Sequence, residues 1–310
     1  MKKYIFGIDV GGTTCKIGLF NLNGVLLKKW DITTNKKEDG KHILTDIFNF
    51  VHRQIPNLDE VYGYGFGVPG PVVDSKIIKC VNLGWKNYDL ISVFSSLVNN
   101  NNIIVQNDAS VAAYGETMYG AAIGFKNTAM ITLGTGIGGG IVDDGSIVDG
   151  AHGSAGEIGH LKVIKDNGRL CNCGNHGCLE TVASATGIKN LYVDLAERSN
   201  IDSLLKDKKH ISAKMIIDAA KKGDLLAEEV VENFTYYIAY ACSVLSITTN
   251  PDIIVIGGGV SKAGTYLLNK IDFYFRKLMF EPVYKTKIVL AKLGNDAGMY
   301  GAASLVKNNS

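Results

Sequence analysis

Long apolar runs are missing from this chain of 310 residues. No stretch approaches the roughly 20 apolar residues that a membrane-spanning helix needs, so a membrane is not expected as a partner. The apolar run after Lys2 and Lys3 is cut short by Asp9 and has no small-residue cleavage site, so it is not a secretory leader. Charge of one sign is also scarce, with 32 basic against 30 acidic residues and a formal net charge of +2. That balance gives no electrostatic reason to expect nucleic acid. Two nucleotide signatures are lacking as well. Without Gly-x-x-x-x-Gly-Lys-Ser/Thr the chain is no P-loop enzyme, and without Gly-x-Gly-x-x-Gly at the first turn it is no dinucleotide dehydrogenase. No linker or low-complexity segment stands out. A secreted chain would pair its six cysteines, so with no leader the reduced cytoplasm is the expected compartment.

What the chain does hold is a cluster of soft ligands. Glu157-Ile-Gly-His160 is followed by Cys171-Asn-Cys173-Gly-Asn-His-Gly-Cys178-Leu-Glu180. Three close cysteines with a histidine upstream fit tetrahedral zinc, and turns at Gly174 and Gly177 would gather the sulfurs into a knuckle. His176 competes with His160 as the nitrogen ligand. The alternative is that these cysteines are small buried hydrophobes. Cys15, Cys80 and Cys242 carry no motif, and Cys80 reads as a loop thiol.

The spacing predicts strands over 4–9, 15–20, 25–33, 62–68, 103–106, 128–133, 137–142, 252–256 and 287–290. Helices are predicted over 41–54, 109–122, 182–197, 212–222, 224–248, 262–278 and 297–307. In the first helix Ile43, Leu44, Ile47, Phe48 and Val51 share one face. Strands and helices alternate, so the class is α/β. Asp9-Val-Gly-Gly-Thr13 and Leu133-Gly-Thr-Gly136 each sit between two strands, which suggests an internal duplication.

The glycines, 36 in all, gather in short loops after apolar runs. Three such turns are candidates for cradling phosphate with backbone N–H groups: Gly11-Gly12, Gly134-Thr135-Gly136 and Gly257-Gly258-Gly259. Asp9 can hold hydrated Mg²⁺, and Thr13 and Thr14 offer hydroxyls to phosphate. Gly257 to Gly259 is expected to open a helix whose dipole favours phosphate. Asn107-Asp108 falls where a strand gives way to a helix. Either residue suits a helix N-cap; beside a phosphate donor, Asp108 could instead accept the proton of an attacking hydroxyl.

Taken together in this order, these motifs resemble the ROK group of sugar kinases and repressors. The likeness runs nearly end to end and includes Asn82-Leu-Gly-Trp85 and Glu180-Thr-Val-Ala-Ser-Ala-Thr-Gly187, which point towards its bacterial glucokinases. The resemblance implies a duplicated, actin-like (ribonuclease H-like) ATPase fold of two lobes with a central cleft. A small lobe of 1–115 plus 297–310 and a large lobe of 116–296 are expected. ATP-dependent phosphorylation of the glucose 6-hydroxyl is the implied activity, with another hexose or an N-acetylhexosamine as alternative. Asp108 would be the general base. Gly70, Asn82, Asn107, Glu157, His160 and Glu180 would bind the sugar. Asp9, Gly11, Gly12, Thr13, Thr14, Gly134, Thr135, Gly136, Gly257, Gly258 and Gly259 would bind ATP with Mg²⁺. His160, Cys171, Cys173 and Cys178 would hold a structural Zn²⁺. The resemblance also implies a homodimer. The repressor branch carries a helix-turn-helix ahead of the first strand, for which no room is expected before Tyr4.

Overall fold

A computed structural model describes residues 1–308. The chain opens with strands β1 (Tyr4–Val10), β2 (Thr14–Asn21) and β3 (Leu26–Thr33), a helical turn α1 (Lys37–Gly40) and helix α2 (Ile43–Gln54). Next come β4 (Val61–Val68), a small meander of β5 (Val72–Val73), β6 (Lys76–Cys80) and β7 (Trp85–Tyr88), and then α3 (Leu90–Val98). The strand β8 (Ile103–Asn107) leads directly into α4 (Asp108–Tyr119). Then follow β9 (Thr128–Leu133), β10 (Ile137–Asp143), β11 (Ser146–Ile147), α5 (Glu180–Ala183), α6 (Ala185–Arg198), α7 (Ala213–Ala220) and α8 (Leu225–Thr248). The last elements are β12 (Ile253–Gly257), α9 (Thr265–Leu278), β13 (Lys287–Leu290) and α10 (Ala297–Asn308).

These elements form two compact units. The first holds residues 1–124, 140–156 and those from 293 on; the second holds 125–139 and 157–292. The first unit therefore runs past residue 115 and also takes in 140–156, a return of the chain that local pattern does not announce.

The sheet of the first unit has the order β3-β2-β1-β4-β8, with an antiparallel hairpin side and parallel β1–β4 and β4–β8 pairs. A second sheet has the order β11-β10-β9-β12-β13, again with parallel β9–β12 and β12–β13 pairs. The two orders correspond strand for strand, so the duplication suggested by the glycine turns exists at the level of topology.

In β4 the alternation is aromatic against glycine, Tyr64 and Phe66 against Gly63, Gly65 and Gly67. Tyr64 stacks on Phe6 at 5.7 Å, and Phe66 meets Phe94 of α3 edge-on at 4.9 Å. Burying each such ring contributes about 1.5–3 kcal/mol. The opposite, glycine face lets two helices press onto the strand. A Cβ at Gly67 would come within 2.6 Å of Val111 Cγ2 in α4, and one at Gly63 within 2.6 Å of Val306 Cγ1 in α10. Bare backbone in β4 thus sets how closely the helix that begins with Asp108 can approach. In the second unit β12 is buried throughout, and α8 starts at Asp224, whose carboxylate caps it by accepting from Ala227 N–H at 2.9 Å. Among the described residues, no helix is long and apolar enough to cross a membrane.

Three sequence expectations change. The helix predicted over 182–197 is two helices broken at Ser184, whose hydroxyl accepts from Gly187 N–H at 3.0 Å and caps α6. Gly257–Gly259 leads into a 3₁₀ turn, Val260–Ala263, and α9 starts only at Thr265. The helix-dipole argument for that turn therefore does not hold. Cys80 is a buried residue that ends β6, opposite Trp85, and is not a loop thiol.

Candidate active-site residues and metal centre

In the first unit Asp9 is the half-buried next-to-last residue of β1, paired with Lys16 across the hairpin. Its carboxyl is pushed up to about 7, first by burial, then by the charge of Asp108, with Lys16 opposing both. Gly298, at the start of α10, leaves the room that Asp9 occupies, since a Cβ there would lie 2.7 Å from the carboxyl carbon.

The junction between β8 and α4 resolves the capping question. Asn107 is the N-cap, its Oδ1 accepting from Ala109 N–H at 3.0 Å and Ser110 N–H at 3.1 Å. Its amide donates to the Gly70 carbonyl at 3.2 Å. The Asn107 oxygen is therefore committed to the helix, and what it offers a ligand is an N–H. Asp108, one residue on, accepts from Ala109 N–H at 2.8 Å. Because Asn107 does the capping, the Asp108 carboxylate is not required for it. Gly70 holds φ at +99°, which a side chain would strain. The Asn82 Cβ is next to Gly12, 3.7 Å from where a Cβ on that glycine would stand.

The Gly11–Thr13 turn is held from behind. Gly11 N–H donates to the Thr14 carbonyl at 3.1 Å, while the Thr34 hydroxyl donates to the Gly11 carbonyl at 2.6 Å. Sequence reasoning missed Thr34. Its one signal was a threonine pair ending a strand that flanks the turn.

In the second unit Gly134 N–H donates to the Gly136 carbonyl at 2.9 Å. Gly258, at φ +83°, packs on the end of β9, where a Cβ would meet Leu133 backbone at 2.6 Å. The second and third glycine turns are therefore neighbours. A Cβ at Gly136 would lie 2.7 Å from Glu180 Oε2, so Glu180 borders the same turn.

Glu180 also borders the cysteine loop, its Oε1 accepting from the Cys171 thiol at 3.0 Å. One ligand atom from each of His160, Cys171, Cys173 and Cys178 falls within 4.8 Å of all the others. Zinc bonds of about 2.3 Å to sulfur and 2.05 Å to nitrogen, at tetrahedral angles, place two sulfurs about 3.8 Å apart and a sulfur about 3.6 Å from the nitrogen. The observed Cys173–Cys178 sulfur separation is 3.7 Å, and Cys171 Sγ is 3.6 Å from His160 Nδ1. The residues fit the metal. Gly174 and Gly177, at φ +91° and +78°, make the turns between the ligands. His176 points elsewhere, its Nδ1 3.0 Å from the Gly168 carbonyl. With Nδ1 of His160 turned to the cluster, Nε2 faces Glu157, 4.0 Å from Oε2. Both side chains are about two-fifths exposed, at 39% and 37%. Cys173 is held below the usual thiol range by the Asn175 N–H, which favours the thiolate a metal requires.

Twin sheets of like strand order, glycine turns at their strand ends and an acidic pair define the actin-like ATPase class of α/β fold. The chain belongs to the ROK family, whose model matches residues 5–309. A glucokinase from Halalkalibacterium halodurans is 41% identical over 98% of this chain and 95% of the relative. A ROK family glucokinase from Streptomyces griseus, solved in complex with glucose and AMPPNP, is 30% identical and superposes with a TM-score of 0.81 over 98% of this chain and 99% of that one. A xylose repressor from Bacillus spizizenii is 29% identical over 98% of this chain and 77% of the repressor.

Proposed function

We propose that this chain is an ATP-dependent glucokinase, transferring the γ-phosphoryl group of ATP to the 6-hydroxyl of glucose. The observation that carries the reading is the Asp9 carboxyl, pushed up by burial and by the charge of Asp108, in the unit that also holds the Gly11–Thr13 turn. Asp108 accepts the hydroxyl proton as the oxygen–phosphorus bond forms and the bond to ADP breaks. Asn107 contributes an N–H to a neighbouring hydroxyl, and Gly70 holds Asn107 in place. In the second unit Gly134–Gly136 and Gly257–Gly259 present backbone to the nucleotide.

Asp9, pushed up to about 7 by burial and then by the charge of Asp108, would be favoured in its charged form by a divalent cation. Mg²⁺ bound through Asp9 would neutralise the β- and γ-phosphates. A zinc held by His160, Cys171, Cys173 and Cys178 would be structural, because four protein ligands would leave no open position for water. With Cys171 deprotonated on such a metal its thiol would no longer donate to Glu180, which would leave that carboxylate for sugar hydroxyls. His160, fixed through Nδ1, keeps Nε2 for the same purpose beside Glu157.

We read the chain as cytoplasmic and as a homodimer. The exposed Tyr236, Tyr240 and Phe273 on α8 and α9 support the second point. A panel of glucose, fructose, allose, N-acetylmannosamine and N-acetylglucosamine in an ADP-release assay tests the substrate. Glucose should give the highest kcat/KM, and preference for any other sugar overturns the assignment.

A further inference from the structure

We propose that Thr34 is a positioning residue that aims the Gly12 and Thr14 N–H groups at a phosphoryl oxygen; this rests on the reading of the Gly11–Thr14 turn as nucleotide-binding. Thr34 follows β3 and is buried, with 6% of its surface exposed. It grips the turn twice. Its hydroxyl donates to the Gly11 carbonyl at 2.6 Å, and its own N–H donates to the Thr13 carbonyl at 2.9 Å. No peptide among the described residues is cis. A planar trans peptide puts each carbonyl opposite the N–H that follows it. Holding the Gly11 carbonyl towards Thr34 therefore turns the Gly12 N–H away, and holding the Thr13 carbonyl does the same for Thr14. Two N–H groups aimed outward from one turn form the concave arrangement that favours an anion. Cys15 Sγ, 3.4 Å from the same hydroxyl, braces Thr34 from within the unit.

The second unit repeats the device with different residues. Ala185 N–H donates to the Gly134 carbonyl at 2.8 Å, and the Thr186 hydroxyl donates to the Thr135 carbonyl at 3.1 Å. There the Thr135 and Gly136 N–H groups are the ones turned away. Both halves restrain the carbonyls of their glycine turn through one threonine hydroxyl and one backbone N–H.

Three variants test the proposal. Thr34→Val keeps the branched shape without the hydroxyl, and Thr34→Ser keeps the hydroxyl. Gly12→Asp places a negative charge in the turn where a Cβ meets only ordinary contact with Asn82. Thr34→Val should raise the KM for ATP about tenfold, the equivalent of one buried hydrogen bond. Its KM for glucose should stay within about twofold, and Thr34→Ser should restore ATP affinity to within about threefold of wild type. Gly12→Asp should raise the ATP KM further still. If Gly12→Asp weakens ATP while Thr34→Val does not, the Thr34 role is wrong and the turn's role stands. If neither variant affects ATP, both fall. A merely structural role would show as equal rises in both KM values, or as Thr34→Ser behaving like Thr34→Val; either result overturns the proposal.

Discussion

Replacing Asp108 by asparagine removes a base while leaving its surroundings nearly unchanged. Asparagine has the same volume and retains an oxygen that can accept from Ala109 N–H, now 2.8 Å from Oδ1. The helix start does not depend on it, because Asn107 accepts from Ala109 and Ser110. What disappears is the capacity to take a proton, which is worth about 10²–10⁴ in rate, or roughly 3–5 kcal/mol of barrier. A second consequence comes from Asp9, whose carboxyl is held up partly by the Asp108 charge. Removing that charge should let Asp9 fall back towards the ordinary carboxylate range, so the metal-free variant should be at least as stable as wild type at neutral pH. The assay pairs coupled ADP release with glucose titration by calorimetry. The expected result is a kcat lower by about two to four orders of magnitude with the glucose Kd within about threefold. A kcat within about tenfold of wild type would refute the base assignment.

The remaining expectations are independent of that residue. Cys173→Ser should lower zinc content from about one atom per chain to a small fraction and raise the glucose KM with it, because the fourth ligand is lost; full zinc content by metal analysis would overturn the ligand set. Glu116, fully buried at the end of α4, accepts from Ala121 N–H and Leu293 N–H at 2.7 Å each. Glu116→Ala should cost about 1–4 kcal/mol by removing the acceptor of two half-buried donors, and Glu116→Gln less, in denaturant unfolding; a loss under about 0.5 kcal/mol contradicts this. Asp9 sets a pH dependence. Burial and the Asp108 charge push its native carboxyl up to about 7 from an ordinary 3.8, so between those values the folded chain binds more protons than the unfolded one. Stability of the metal-free protein should fall as pH rises through that window, and Asp9→Asn should flatten the fall. Parallel profiles for the two proteins would sink the assignment.

Much of this could be read from residue order, and the gaps have physical causes. The paired glycine turns implied duplication because a strand, a bare turn and a return strand leave a local signature, and both sheets carry it. The cysteine cluster was legible from spacing, although only coordinates place His160 beside it and His176 at the Gly168 carbonyl. The α3 helix went unread despite Leu90, Phe94 and Val98 at helical spacing and Asp89 as its cap, since the run is only nine residues long. The break at Ser184 was unreadable because the apolar pattern continues through it, and a single hydroxyl decides the matter. Thr34 and Glu116 act on backbone far away in sequence. Such contacts leave no local pattern.

The most direct measurement of the central claim is the product itself. Purified chain incubated with glucose and MgATP should yield ADP and a phosphomonoester at the sugar's 6-position in ³¹P NMR, and the Asp108→Asn protein should form both at least about a hundredfold more slowly at the same concentration. Absence of a glucose 6-phosphate signal from the wild-type chain, or an equal signal from the variant, would contradict the account.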